Sequence, residues 1–460
     1  MAGQYRNLVF LLADQLRHDA PGYALNRRGM AKTPCIDRLA SRGIAYSRAY
    51  TPLPVCAPAR QSLLCGRHPD SFGSFWNHGF FHTPDFKPEA TFTERLAESG
   101  RTGCFIGKWD VAKGSKPGDF GFSVYHGKAE YAAYQKEHFP EPRYEGGWMG
   151  CESPLPLAGT DTHFYARKAT EFIRSEKGQG FFLWADFGTP HLPCRPSAPF
   201  SQMYQPGDIP PWPGYDDQKE NKPYTHKQQT LNWGLENTSW SEMAGQVARY
   251  CGVVSQLDDA IGIIIRALEE AGALEETLIV LTSDHGDMCG NHRMFDKHNS
   301  MYDDIVRVPL VLSGSHFNPH VSNALVSNCL DLPLSICSLM GLPALPGTHG
   351  VPLPFGGGMP LSEEKSRSYI TSSSNGQQFG FFNTRMITDG RYKYVWNLTD
   401  IDEFYDAEND PGECRNLIYA PSYGEKVKDF RALLYGDLKA HGDPFASEWL
   451  APQLLEGRKI

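Results

Sequence analysis

Leu8-Val9-Phe10-Leu11-Leu12-Ala13-Asp14-Gln15 is the stretch on which the reading of the fold turns. Its apolar run is continuous rather than alternating, the pattern of a strand covered on both faces. The polar pair Asp14-Gln15 follows directly, at the strand end where open α/β sheets place their ligands. The pattern recurs along the chain. Thr102–Gly107 reads as a strand ending in Lys108, and Phe181–Phe187 as another buried strand, followed by Thr189-Pro190-His191-Leu192-Pro193. Thr277–Leu281 is a strand leading to Thr282-Ser283-Asp284-His285.

Helical segments separate these strands. Residues 36–40, 59–64 and 91–99 read as short helices, with Gly66 as the stop of the second. Residues 243–268 carry Val247, Tyr250, Val254, Leu257, Ile261 and Ile264 at helical spacing. Residues 44–50 and 308–312 read as strands, with Pro309 near the start of the latter or marking it as an edge. Residues 331–340 read as a helix capped by Asp331. Two stretches, 110–165 and 194–240, show weak periodicity and read as irregular excursions, the first shaping a pocket. The expected fold is α/β: a large, mixed, mostly parallel central sheet with helices on both faces. It occupies residues 1–350. A Gly/Pro-rich stretch, 347–358, is the linker candidate. A smaller C-terminal subdomain, 360–460, follows, with strands at 368–370, 384–388 and 392–395, an Asp389-Gly390 turn and a closing helix at 427–441.

Bulk properties narrow the function. The chain has 460 residues, enough for one large domain with an appendage. A net charge of -9 and no basic stripe argue against nucleic-acid binding. No run of about 18 apolar residues predicts a membrane span. The first apolar run is too short for a signal peptide, which points to a cytoplasmic location. The 11 cysteines lack paired spacing and read as reduced thiols rather than a disulfide framework. No phosphate-binding glycine loop follows a strand.

The chemistry concentrates at the strand ends. Asp14, Gln15, Asp284 and His285 form an oxygen-rich set with one imidazole, suited to a hard divalent ion. A second cluster is Pro54-Val55-Cys56-Ala57-Pro58-Ala59-Arg60 with Gln61-Ser62-Leu63-Leu64-Cys65-Gly66-Arg67. The Cys-x-Pro-x-Arg run at Cys56, Pro58 and Arg60 resembles the signature of the type I sulfatases, within the alkaline-phosphatase-like hydrolases. The Asp-Gln and Asp-His pairs look most like those of choline-sulfatase and phosphonate-monoester-hydrolase relatives. The run Glu403–Glu413, followed by Asn416-Leu417, is similar to the family's closing subdomain.

The resemblance implies that residues 1–350 are the catalytic domain. It implies that Cys56 is oxidised to Cα-formylglycine by a formylglycine-generating enzyme. The hydrated aldehyde would attack sulfur beside a divalent metal, with Ca2+ favoured and Mn2+ or Mg2+ as alternatives. Metal ligands would be Asp14, Gln15, residue 56, Asp284 and His285. Arg60 would hold the diol, Lys108 would reach nucleophile and substrate, and His191 would contact the sulfate or protonate the leaving oxygen. Asn77 would contact the sulfonyl group. Lys297 is the favoured later cation and leaving-group acid, with His298 close behind. In the family's Gly-Lys-Trp-His run the fourth residue here is Asp110. The implied reaction is sulfate monoester hydrolysis, with phosphonate monoester or phosphodiester hydrolysis as the alternative. A sulfated carbohydrate is preferred as substrate over a simple aryl or choline sulfate. Aromatics such as Trp76, Tyr125, Trp148 and Trp212 are read either as sugar platforms or as core. The oligomeric state stays open.

Overall fold

A computed structural model describes residues 4–24, 30–77, 86–140, 142–297, 300–355, 366–377 and 380–459. In chain order, the strands of its main sheet are β1 (Asn7–Asp14), β2 (Gly43–Tyr50), β3 (Thr102–Gly107), β4 (Val124–Gly127), β5 (Phe181–Pro190), β6 (Thr277–Ser283), β7 (Arg307–Val308), β8 (Leu310–Ser313) and β9 (His320–Ser327). They are ordered β4-β3-β5-β1-β6-β8-β2-β7, with β9 also on β2. Strands β4, β3, β5, β1 and β6 run parallel, whereas β8 runs antiparallel to both β6 and β2.

All eight residues of β1 are buried, and its two faces feed two cores. Val9, Leu11 and Ala13 pack with Phe164, Val247 and Leu257, on the helices Asp161–Ser175 and Trp240–Ala271. Leu8, Phe10 and Leu12 pack with Leu63, Leu96 and Leu332, on the helices Cys56–Cys65, Phe92–Glu98 and Asn328–Leu339. A strand sandwiched in this way has no face left for polar residues, which is why its sequence is apolar throughout. Truncating Leu11 to Ala in such a layer costs about 2–5 kcal/mol.

The second sheet is antiparallel: β10 (Ile370–Gln377), β11 (Gly380–Thr388), β12 (Tyr392–Asn397) and β13 (Glu403–Asp406), in that order. Its Ile387, Tyr394, Trp396 and Phe404 pack with Phe430 and Leu434 of the helix Gly424–His441 in a core of their own. Buried polar groups tie this sheet to the main one. Arg385 lies between Asp443 and Asp70, and Ser373 N–H donates to the Pro52 carbonyl at 2.9 Å.

Several elements depart from the sequence reading. The excursion 110–165 is not irregular throughout: it supplies edge strand β4 and the helix Lys128–His138. The stretch 194–240 contains the helix Tyr224–Asn232. Pro309 splits the expected strand into β7 and β8, because it cannot donate to the ladder. Strands β9 and β13 were not anticipated; half of β9 is solvent-facing, which removes the apolar signal. The helix expected to begin at Asp331 starts at Asn328, and the Asp331 carboxylate instead accepts from Ser327 N–H at 2.7 Å. None of the 11 cysteines is paired with another. Among the described residues no helix is long and apolar enough to cross a membrane. Part of the linker candidate, 356–358, lies outside the described residues.

Candidate active site

Strand register assembles the site. Ala13 pairs with Ser283, so Asp14 and Asp284 leave adjacent parallel strands side by side. Leu12 and Gly107 both pair with Asp186, which brings Asp186 and Lys108 to the same edge from β5 and β3. Gly107, at φ 104°, is required there: a Cβ would lie 1.9 Å from the Asp186 carbonyl oxygen. Gln15 takes the left-handed region at φ 71°. Its N–H donates to Asp284 Oδ1 at 3.1 Å and its carbonyl accepts from Tyr250 O–H at 2.9 Å, bonds that hold this unfavourable conformation.

The helix expected from Ala59 begins three residues earlier, at Cys56, and closes at Gly66 with φ 70°. Pro58 is tolerated because N–H groups of a first turn have no intrahelical partner. Cys56 therefore stands on the positive end of a helix, buried, facing the strand ends. Its Sγ lies 3.4 Å from His285 Nε2 and 3.7 Å from Asp14 Oδ1. Burial, then the neighbouring Asp14 charge, push the thiol pKa up. Asn77 supports the same turn: its Oδ1 accepts from Ala57 N–H at 3.0 Å.

Potential donor atoms of Asp14, Cys56, Asp284 and His285 all lie within 4.8 Å of one another. His285 Nδ1 is 3.0 Å from the Gly286 carbonyl, which needs a donor, so the proton sits on Nδ1. Nε2 is left as a lone pair aimed into the cluster, as in a metal-ligating imidazole. Two carboxylates and this imidazole fit a divalent cation. Gln15 lies alongside, its Nε2 donating to Asp287 and its Oε1 3.3 Å from Lys297 Nζ.

The buried Arg60 and Lys297 and the half-buried Lys108 balance the acids. Arg60 donates through Nε and Nη2 to Asp186 at 3.0 and 2.9 Å, through Nη1 to Asp284, and lies 3.4 Å from Asp14. Its hydrogen bonds thus go to carboxylates rather than towards residue 56. Lys108 donates to Asp14 and lies 3.5 Å from Asp110, which occupies the place of the missing imidazole. Burial opposes the charge on Asp14, but Lys108, His191, Arg60 and His285 together hold its pKa well below the usual range.

Lys297 is buried and 2.9 Å from His191 Nε2. An ammonium only donates, so Nε2 accepts and Nδ1 carries the proton, bonded to the Leu192 carbonyl at 2.7 Å. Burial and the Lys297 charge lower the His191 pKa to about 4. His298 lies outside the described residues. Of the other expected residues, Asp14, Gln15, Cys56, Arg60, Lys108, His191, Asp284, His285 and Lys297 meet in this one cluster. Asn77 sits behind the nucleophile turn.

Asp186 was missed by the sequence reading, although a lone acid inside the apolar run Phe181–Phe187 is a visible signal. Burial lifts its pKa to about 6, with Arg60 opposing. Asp287 was missed as well. A cavity of about 510 Å³ opens from Asp14, Lys108 and His191 towards Lys128, Tyr131, Tyr144 and Arg195. Trp76 and Trp212 are core residues, whereas Tyr125 and Trp148 are exposed.

A sequence model of the sulfatase family matches residues 6–342. The chain belongs to the sulfatase family. Its reaction is sulfate ester hydrolysis, and metal and formylglycine are the family's general equipment. The sulfatase chain is 26% identical to an arylsulfatase of Clostridium perfringens, over 99% of this chain and 98% of that protein. It is 26% identical to a Delta 4,5-hexuronate-2-O-sulfatase of Bacteroides thetaiotaomicron, covering 95% and 92%. Its fold is also that of a phosphonate monoester hydrolase from Silicibacter pomeroyi, with a TM-score of 0.81 at 22% identity, covering 96% of each chain.

Proposed function

We propose that this sulfatase cleaves the sulfate ester of a sulfated carbohydrate, with residue 56, matured to formylglycine, as nucleophile. The observation that carries the reading is the meeting of Asp14, Cys56, Asp284 and His285 donor atoms within 4.8 Å at a helix N-terminus. The preference for a sugar draws support from the sulfated hexuronate named for the Bacteroides thetaiotaomicron relative.

Asp14, Asp284 and His285, with the Gln15 amide beside them, are the proposed ligands of one divalent ion, Ca2+ by the oxygen-rich donor set. When bound, that ion neutralises sulfate oxygens and lowers the pKa of nearby hydroxyls. A formylglycine-generating enzyme supplies the aldehyde, whose hydrate offers two hydroxyls. One attacks sulfur and releases the alcohol. The other then loses its proton and expels sulfate, restoring the aldehyde.

The remaining residues hold charges and protons for this sequence. Lys108, held against Asp14, presents its ammonium to a sulfate oxygen. Arg60 fixes the three carboxylates Asp14, Asp186 and Asp284 in place. Lys297 carries the proton that the leaving oxygen needs, and His191, on the cavity wall, holds that ammonium by accepting from it at Nε2. Asn77, through Ala57, orients the first turn, and its NH2 is the group left for a sulfonyl oxygen.

The test uses protein made with a formylglycine-generating partner. Peptide mass spectrometry reads the state of residue 56, and kcat/KM is measured on matched aryl sulfate and aryl phosphonate monoesters. An aldehyde with faster sulfate cleavage is expected. Faster phosphonate cleavage, or an aldehyde-bearing protein inert on both, would overturn the reading.

A further inference from the structure

The cavity that opens from Asp14, Lys108 and His191 has a second basic end. Arg195 lies four residues after His191 on the same loop and lines the same cavity. Its guanidinium carbon sits 4.2 Å from the centre of the Tyr144 ring, a stacked arrangement that fixes the plane. Among the described residues no carboxylate pairs with it, and its Nε is buried without a hydrogen-bond partner. A guanidinium that is oriented but unpaired beside a reaction centre is unusual, because a buried donor left unmet costs free energy until something accepts from it.

The opposite wall is built to match. Lys128, Tyr131 and Gln135 fall at i, i+3 and i+7 of the helix Lys128–His138, one face directed at this cavity. Tyr131 O–H donates to the Gly159 carbonyl at 3.0 Å, and Gln135 Nε2 donates to Tyr131 Oη at 3.1 Å. This wall is therefore fixed rather than free to fold over Arg195. One acid besides Asp14 reaches the cavity, Asp161. Its Oδ1 accepts from Thr162 N–H at 2.8 Å, while burial raises its pKa. Asp14 is taken by Lys108, and neither it nor Asp161 pairs with Arg195, which is thus a cation left over in this cavity.

We infer that Arg195, stacked on Tyr144, is a specificity-determining residue that reads a second anionic group, carboxylate or sulfate, carried by the substrate besides the scissile sulfate. The planar fork pairs with two oxygens of either group. The inference rests on the sulfated-carbohydrate reading above and narrows it: the substrate is at least doubly anionic. A cavity of about 510 Å³ has room for one sugar ring and its substituents.

The test is competitive inhibition of 4-nitrophenyl sulfate turnover by matched sugars. One pair is glucosamine 6-sulfate against glucosamine 2-N,6-O-disulfate, which reports a second sulfate. The other is a 2-O-sulfated hexose against a 2-O-sulfated hexuronate, which reports a carboxylate. In the wild-type protein at least one doubly anionic sugar is expected to bind about tenfold more tightly than its singly anionic match. In Arg195→Met that ratio collapses towards one, and Arg195→Lys recovers part of it. A simple loss of packing would weaken both members of a pair alike and leave the ratio unchanged. Equal binding within both wild-type pairs, or a ratio preserved in Arg195→Met, overturns the inference. If the matured protein turns over no sulfate ester, the sulfatase reading fails instead, and the same pairs are titrated calorimetrically to judge Arg195 by itself.

Discussion

Arg60 and Asp186 form a closed fork at the centre of the protein, Nε to Oδ2 at 3.0 Å and Nη2 to Oδ1 at 2.9 Å, with both side chains shut away from solvent. The remaining nitrogen of Arg60 goes to Asp284. One guanidinium thus ties Asp186 to the strand-end acids Asp14 and Asp284 that face the nucleophile. Breaking such a pair by removing one partner leaves an uncompensated buried charge.

Asp186→Ala is therefore expected to lower the unfolding free energy by about 3–5 kcal/mol. It should also cut kcat, because Arg60 is freed to follow Asp14 or Asp284. Urea denaturation and steady-state kinetics check both. Unchanged stability would show that Asp186 does not anchor Arg60.

Cys56→Ala removes the nucleophile without disturbing any ion pair, since Sγ has only weak contacts with Asp14 and His285. Turnover should vanish while the melting temperature and metal content stay near wild type. Asp284→Asn should instead lose metal and activity together, read by atomic emission and by kinetics. A Cys56→Ala protein with residual wild-type turnover would remove residue 56 from the chemistry.

Chelation should destabilise the folded protein as well as silence it. A ligand present at about 100 times its Kd adds about 2.7 kcal/mol to stability, and removing it gives that up. Thermal unfolding with and without a chelator, followed by Ca2+ or Mn2+ add-back, measures the effect. An unchanged transition would mean that the carboxylate cluster binds no ion.

The sequence carries much of this arrangement, for a physical reason. Parallel strands buried on both faces leave a continuous apolar run that ends abruptly in polar residues, so Asp14, Lys108, His191 and Asp284 stand out without any structure. Asp186 does not, because it lies within its strand rather than after it, and only the register with Leu12 and Gly107 shows what it faces. The helix start at Cys56 was hidden by Pro58, which reads as a breaker unless it sits in a first turn. Arg195 gave no signal, since a loop arginine acquires meaning only from the ring it stacks on. The partition of roles between Lys297 and His191 likewise depends on a contact across 106 residues.

If Lys297 delivers the proton, its loss should matter most when the leaving group is a poor one. Lys297→Met is expected to slow an alkyl sulfate by about 10²–10⁴-fold, the range of general acid catalysis. A 4-nitrophenyl sulfate, whose leaving oxygen needs no proton, should be slowed far less. Measuring kcat for both substrates separates this role from sulfate binding, which would slow the two equally.

Acid sensitivity should trace to a cluster away from the active site. His68 and His441 stack with ring centres 4.0 Å apart, and His349 Nδ1 accepts from His68 N–H at 3.0 Å. The His441 helix belongs to the C-terminal sheet's core, so these rings join the two sheets. Burial, then the neighbouring His441, holds His349 down at about 4 and His68 lower than usual. A histidine whose folded pKa is depressed takes up its proton first in the unfolded chain. Stability from these rings is therefore full above about pH 6.5 and falls as pH drops towards 4. Asp258 and Glu413, lifted by burial to about 6 and about 7, act in the opposite direction. The informative quantity is thus the difference between wild type and His349→Asn, which keeps an acceptor for His68 N–H. Urea midpoints at pH 7.5 and pH 5 should drop more for wild type than for the variant. Equal drops would show that the imidazole cluster does not set the acid sensitivity of this joint.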